Sequence, residues 1–177
     1  MLLNTILNLI ASSIFSGTIL ITLCLIVVNL SKAKLAKIDK PTLIKAINTI
    51  LLLGAMIYAV MWVRELFAGY FSGGEYEQYT FANRLFGSYW WAALTLLTRN
   101  ILLPQILWIG RFRSSFISTI AVVSFWLFVY IIAQMPFGIG GILRGFRIST
   151  GYLEGLGIYI VLLVSVYLIL NRKKLKG

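Results

Sequence analysis

Four ionisable side chains lie inside apolar stretches of this sequence: Arg64, Glu65, Arg99 and Glu154. A charge in a segment surrounded by hydrocarbon is costly, so such groups are the first candidates for proton transfer, ligand binding or ion pairing. Arg64, Glu65 and Glu154 fall near the ends of their runs, where they can pair with one another or extend toward an interface. Arg99 is about 20 Å along its run by helix rise. It belongs to a polar group with Asn100, Pro104 and Gln105. In α-helical register Pro104 removes the N–H that would bond the Asn100 carbonyl. That carbonyl, the Asn100 amide and the Arg99 guanidinium can then line a small polar cavity or tie neighbouring helices together. Arg64, Glu65, Arg99, Asn100 and Gln105 are therefore the candidates for a polar path.

Much other chemistry is excluded by residue type. The chain has no histidine and one cysteine, Cys24, inside an apolar run. Haem ligation by histidine, thiolate clusters and His-rich zinc sites lack their ligands, and no intrachain disulfide can form. A serine or cysteine hydrolase lacks its histidine base. Gly138-Ile139-Gly140-Gly141 is glycine-rich but has no following Lys-Ser pair to hold a phosphate.

The elements that position these residues are membrane helices. Of 177 residues 60% are hydrophobic and 12% charged, with a mean hydropathy of +0.92, which is unlike a soluble domain. A helix crosses a hydrocarbon core with about 20 apolar residues. Five segments reach that length: about Thr5 to Leu30, Leu43 to Ala68, Leu85 to Ile109, Phe116 to Met135 and Gly151 to Leu170. The expected fold is all-α, a multi-pass transmembrane bundle of about five spans forming a single domain over residues 1–177. The amino terminus lacks a positively charged leader and reads as the first span rather than a cleaved signal. Pro41 fits the first turn of the second helix, where its missing N–H has no partner to lose.

The net charge of +11 is explained by placement rather than by nucleic acid. Lys32, Lys34, Lys37 and Lys40 occupy one connection, Arg111 and Arg113 another, and Arg172, Lys173, Lys174 and Lys176 the tail. No soluble segment interleaves basic residues with aromatics as a nucleic-acid surface would. With five crossings these clusters share one side, and the positive-inside rule makes it cytoplasmic, with the amino terminus outside a cell (inner) membrane. Glu75, Glu77, Arg84, Arg144 and Arg147 then lie outside, together with an aromatic belt that includes Tyr76, Tyr89, Trp90 and Trp91. By the same count none of the five acids reaches Arg99. Its counter-group is either a partner carboxylate, a headgroup or water from outside the chain, or Asn100 and Gln105 within it.

Residues 64–113 carry an ordered series: Glu65, Tyr70-Phe71-Ser72-Gly73, Tyr76-Glu77, Phe81, Arg84, Gly87, Tyr89-Trp90-Trp91, Asn100, Pro104-Gln105, Trp108 and Arg113. This series resembles the polysulfide-reductase NrfD family, most closely the NrfD-like membrane subunits of alternative complex III, in their carboxyl-terminal half. Ser12 to Val27 is similar to the preceding helix of that family. The resemblance implies a membrane subunit of a quinone-linked respiratory electron-transfer complex that completes an NrfD-like bundle. It implies a partner forming the amino-terminal half and a peripheral iron–sulfur subunit, for which Tyr76, Glu77 and Arg84 are the docking candidates. No cofactor is then bound by this chain alone, and a quinone is shared with the partner subunits. The departures are Arg99, where the family has a small uncharged residue, and the absence of the family's quinone-site histidine. The competing expectations are a structural accessory subunit without quinone chemistry and a small transporter or channel subunit.

Overall fold

A computed structural model describes residues 2–31, 38–71, 74–88, 90–134 and 150–176. Lys32, Lys34, Lys37, Ser72, Gly73, Tyr89, Gly138, Gly140, Gly141, Arg144 and Arg147 fall outside the described residues. All regular structure among the described residues is helical. Helix α1 is Leu2–Leu30 and α2 is Lys40–Tyr70; α3 is Glu75–Phe86 and α4 is Trp90–Leu97. Helix α5 is the single turn Gly110–Arg113, α6 is Phe116–Gln134 and α7 is Thr150–Lys176. Three helices are long and apolar enough to cross a membrane: Leu3–Leu30, Lys40–Tyr70 and Leu153–Arg172.

The segment expected as a single third span is built differently. Helix α3 stops at Gly87, where an added Cβ would lie 2.3 Å from the Asn83 carbonyl oxygen, so only glycine allows this close approach. After α4 the chain continues as a π-helical turn, Thr98–Leu102, and then a 3₁₀ stretch, Leu103–Trp108. Proline at 104 is the physical cause, because its ring crowds the preceding turn and it has no N–H to donate. The widened register is set just before it, where the Leu103 N–H bonds the carbonyl of Thr98, five residues back.

Contacts fix the register of the bundle. Helices α1 and α2 are antiparallel: a Cβ at Gly54 would come within 2.7 Å of Ile14 Cγ2. Helix α7 runs parallel to α1, with the Tyr159 ring so close to Gly17 that a Cβ there would lie 2.2 Å from its Cγ. One apolar core joins α1, α2 and α7 around Ile14, Ile47, Ile50 and Tyr159. A second joins α1 and α2 to α6 and the 3₁₀ stretch around Phe15, Leu51, Leu107 and Trp126. Helix α7 and the α4-to-3₁₀ segment are thus held by separate cores.

The two ends of the bundle differ in charge. At one end Lys40 Nζ donates to Asn29 Oδ1 at 2.6 Å and the Asp39 N–H donates to the Tyr167 hydroxyl at 3.1 Å. Pro41 lies in the first turn of α2, as expected from its sequence position. The fully buried Asn48, two turns farther along α2, donates to the Arg113 carbonyl at 2.9 Å and accepts from Thr119 Oγ1 at 2.9 Å. Lys40, Lys45, Arg111, Arg113 and Arg172 therefore all lie toward this end. At the other, Arg64 and Arg84 stand with Glu65, Glu75 and Glu77.

Candidate functional site

At that second end, five elements line a cavity of about 490 Å³. Helix α1 contributes Asn4 and Asn8, α2 contributes Tyr58, Trp62, Arg64 and Glu65, and α3 contributes Phe81 and Arg84. The far wall is Ala93, Leu96 and Leu97 of α4, with Asn100 and Ile101 of the π turn. Helix α3 folds back along the end of α2, with Phe81 against Gly69 and the Gln78 amide donating to the Tyr70 carbonyl at 3.2 Å. This brings Arg84 to Glu65: Arg84 Nη1 donates to Glu65 Oε1 at 2.5 Å. Arg64 Nη1 donates to Asn4 Oδ1 across the mouth. The cavity thus has an apolar and aromatic wall and a rim of two guanidiniums, one carboxylate and several amides. Such a rim can orient a small polar headgroup by hydrogen bonds while its apolar part packs inside.

The five polar-path candidates divide. Arg64, Glu65 and Asn100 line the cavity together, whereas Arg99 and Gln105 do not. Gln105 points back along its own segment, donating to the Ile101 carbonyl at 3.1 Å and accepting from Trp108 Nε1 at 2.8 Å. Arg99 Nε donates to Asn100 Oδ1 at 3.1 Å, and among the described residues no carboxylate lies within ion-pair distance of its guanidinium. In the π register Pro104 is also the i+5 residue of Arg99, so the Arg99 carbonyl has no backbone donor there. Trp126 Nε1 of α6 fills the gap at 2.8 Å. The kink therefore ties α6 to this segment.

Of the docking candidates, Tyr76 and Glu77 are exposed on α3, whereas Arg84 is engaged with Glu65. Glu154 lies deeper than its place near the start of α7 suggests. Gly155 packs against Ser13, nine residues along α1 from the Asn4 that bonds Arg64, which is about 13 Å by helix rise. Pairing of Glu154 with Arg64 is thereby ruled out within the chain. Sequence reasoning missed Asn4, Asn8 and Tyr58 as cavity residues and Asn48 as a buried connector. The signal available for Asn48 was an amide in the middle of an apolar helix, three residues from the nearest charge, Lys45. No protein-family model matches the sequence, and no curated protein matches it.

Proposed function

We propose that this chain is an integral membrane subunit of a quinone-linked electron-transfer complex, crossing the membrane five times with its amino terminus outside. The observation that carries this reading is the cavity of about 490 Å³ with Arg64, Glu65, Arg84 and Asn100 at one end of an apolar bundle. Its size falls in the range of about 300–1,000 Å³ common for small-molecule sites. The resemblance of residues 64–113 to NrfD-like subunits supports the same assignment. The gathering of Lys40, Lys45, Arg111, Arg113 and Arg172 toward the opposite end supports the orientation. In this reading the chain completes an NrfD-like bundle with a second membrane subunit, shares a quinone with it, and offers Tyr76 and Glu77 on α3 to a peripheral iron–sulfur subunit. Glu65, held by Arg84, is the proton-carrying group of the path.

The test is purification of the native complex, followed by labelling with a photoreactive quinone analogue. An iron–sulfur partner and label on cavity residues, reduced by Glu65→Gln and Asn100→Leu, are the expected results. A second reading, a structural accessory subunit, is favoured by the Trp126–Arg99 and Asn48 contacts, which use polar groups purely to join helices. Iron–sulfur partners without label on this chain would select it. A complex with no redox subunit would refute both.

A further inference from the structure

Among the described residues Arg99 and Glu154 have no ionic partner, and the helix register places them at the same depth. Gly155 meets Ser13, and Ile14 meets Gly54, so Glu154 stands level with Ser12 and, across α1, with Met56. Asn100, next to Arg99, lines one cavity wall with Tyr58, which is two residues along α2 from Met56, or about 3 Å by helix rise. Neither charge has a partner of opposite sign among the described residues. The Arg99 side chain is partly exposed. Glu154 is exposed on α7.

The surroundings of the two charges also match. On α7 the residues 154, 157, 161 and 164 are all exposed and follow the 3, 4, 3 spacing of a helix-packing seam, with Val161 66% and Val164 50% exposed. Gly157 is open, with no atom within 4 Å of an added Cβ, which makes it a hollow. On the other side Arg99 is followed by the apolar side chains of Leu102, Ile106 and Ile109, which are 57%, 42% and 55% exposed. Both segments run in the same direction through the bundle, since α7 is parallel to α1 and the α4-to-3₁₀ segment returns antiparallel to α2. Insertion fixes the orientation of every copy, so residues of equal depth in two copies meet.

We infer that copies of this chain associate head to tail, with α7 of one against the α4-to-3₁₀ segment of the next, and Glu154 of one paired with Arg99 of the other. Leu102 fills the hollow at Gly157. Small residues and interhelical polar contacts are the usual means of helix association in lipid, where apolar burial alone gives no preference. Because the two faces belong to different cores of the molecule, the contact is heterologous and repeats, closing as a ring or extending as a row. The inference rests on the membrane-spanning reading and is independent of the quinone assignment.

Disulfide trapping of the full chain in native membranes tests it, with Cys24→Ser as background. Leu102→Cys combined with Gly157→Cys should give a ladder of dimers and larger species on oxidation. Each single variant should stay monomeric, and the two single variants expressed together should give dimers and nothing larger. Glu154→Gln in the doubly substituted chain should lower the trapped fraction at least severalfold. Arg99→Glu should do the same, and adding Glu154→Arg should restore the ladder. Dimers from either single variant alone, trapping unaffected by Glu154→Gln, or adducts formed only with a different membrane protein or with lipid would overturn the proposal. Should Arg99→Glu fail to accumulate, the Glu154→Gln result decides.

Discussion

Trp126→Phe isolates one hydrogen bond in the kinked segment. Trp126 is 1% exposed, its ring meets Phe15 edge to face at 4.4 Å between centroids, and its Nε1 donates to the Arg99 carbonyl at 2.8 Å. Phenylalanine keeps a ring against Phe15 and removes the donor. Leaving a buried carbonyl unpaired costs about 1–3 kcal/mol in water-soluble proteins. Interhelical hydrogen bonds in membranes average about 0.6 and reach about 1.7 kcal/mol. With the small loss of packing, a destabilisation of about 1–2 kcal/mol is expected, against about 3–5 for Trp126→Ala. Pro104→Ala supplies the missing test. It returns an N–H five residues after Arg99, so the carbonyl regains a backbone donor and the indole becomes dispensable. Equilibrium unfolding in mixed micelles, followed by far-ultraviolet circular dichroism, should show the double variant more stable than the sum of the single changes by about 1 kcal/mol, a coupling typical of groups sharing one partner. Additivity of the two effects within about 0.3–0.5 kcal/mol would refute the assignment of that carbonyl.

Gly17→Ala should destabilise by about 1–3 kcal/mol or prevent α1 and α7 from closing, because its Cβ would lie 2.2 Å from the Tyr159 ring; the same unfolding assay reads it. Asn48→Leu strands the Arg113 carbonyl, at about 1–3 kcal/mol, while the Thr119 hydroxyl keeps the Ser115 carbonyl at 3.3 Å, so the loss should be comparable to that of Trp126→Phe in the same assay. Glu65→Gln should change stability by less than about 1 kcal/mol, since the side chains of the Glu65–Arg84 pair are 56% and 58% exposed, so a loss of quinone labelling in this variant reports function rather than unfolding. Reporter fusions after Lys40, Ser114 and Gly177 should read cytoplasmic and those near Gly74 and Gly145 external; a cytoplasmic reading at Gly74 would overturn the five-span orientation.

Helical class and the long apolar elements were legible in the sequence because they depend on local quantities. Run length marks α1, α2 and α7, and Pro41 marks the start of α2 within a residue. What depends on a partner was not legible. Nothing in the residue string says that Gly17 faces an aromatic ring or that Gly155 faces Ser13, since a glycine inside an apolar helix reads equally well as tolerated. Pro104 was visible as a disruption, but which carbonyl it orphans depends on whether the preceding turn is α or π. The cavity was half legible for the same reason. Arg64, Glu65 and Asn100 stand out as polar groups in apolar runs, whereas Asn4 and Tyr58 become cavity residues only through the return of α1 and α3 onto the end of α2.

Depth shows most clearly how a local rule fails. Counting from the start of each helix treats all starts as coplanar, and on that basis Glu154 lies near a surface and Arg99 far from any acid. The interlocking of Gly155 with Ser13 and of Ile14 with Gly54 replaces that assumption with a definite stagger. Helix α1 has already run from Leu2 to Ser12 when α7 reaches Glu154. The acid thereby moves from the neighbourhood of Arg64 to the depth of Arg99, on the opposite side of the α1–α2 pair. Among the described residues that cation and that anion have no ionic partner, and on opposite sides of the α1–α2 pair they can meet only between two copies of the chain. Glycine contacts within the fold therefore decide the ionic contacts available outside it.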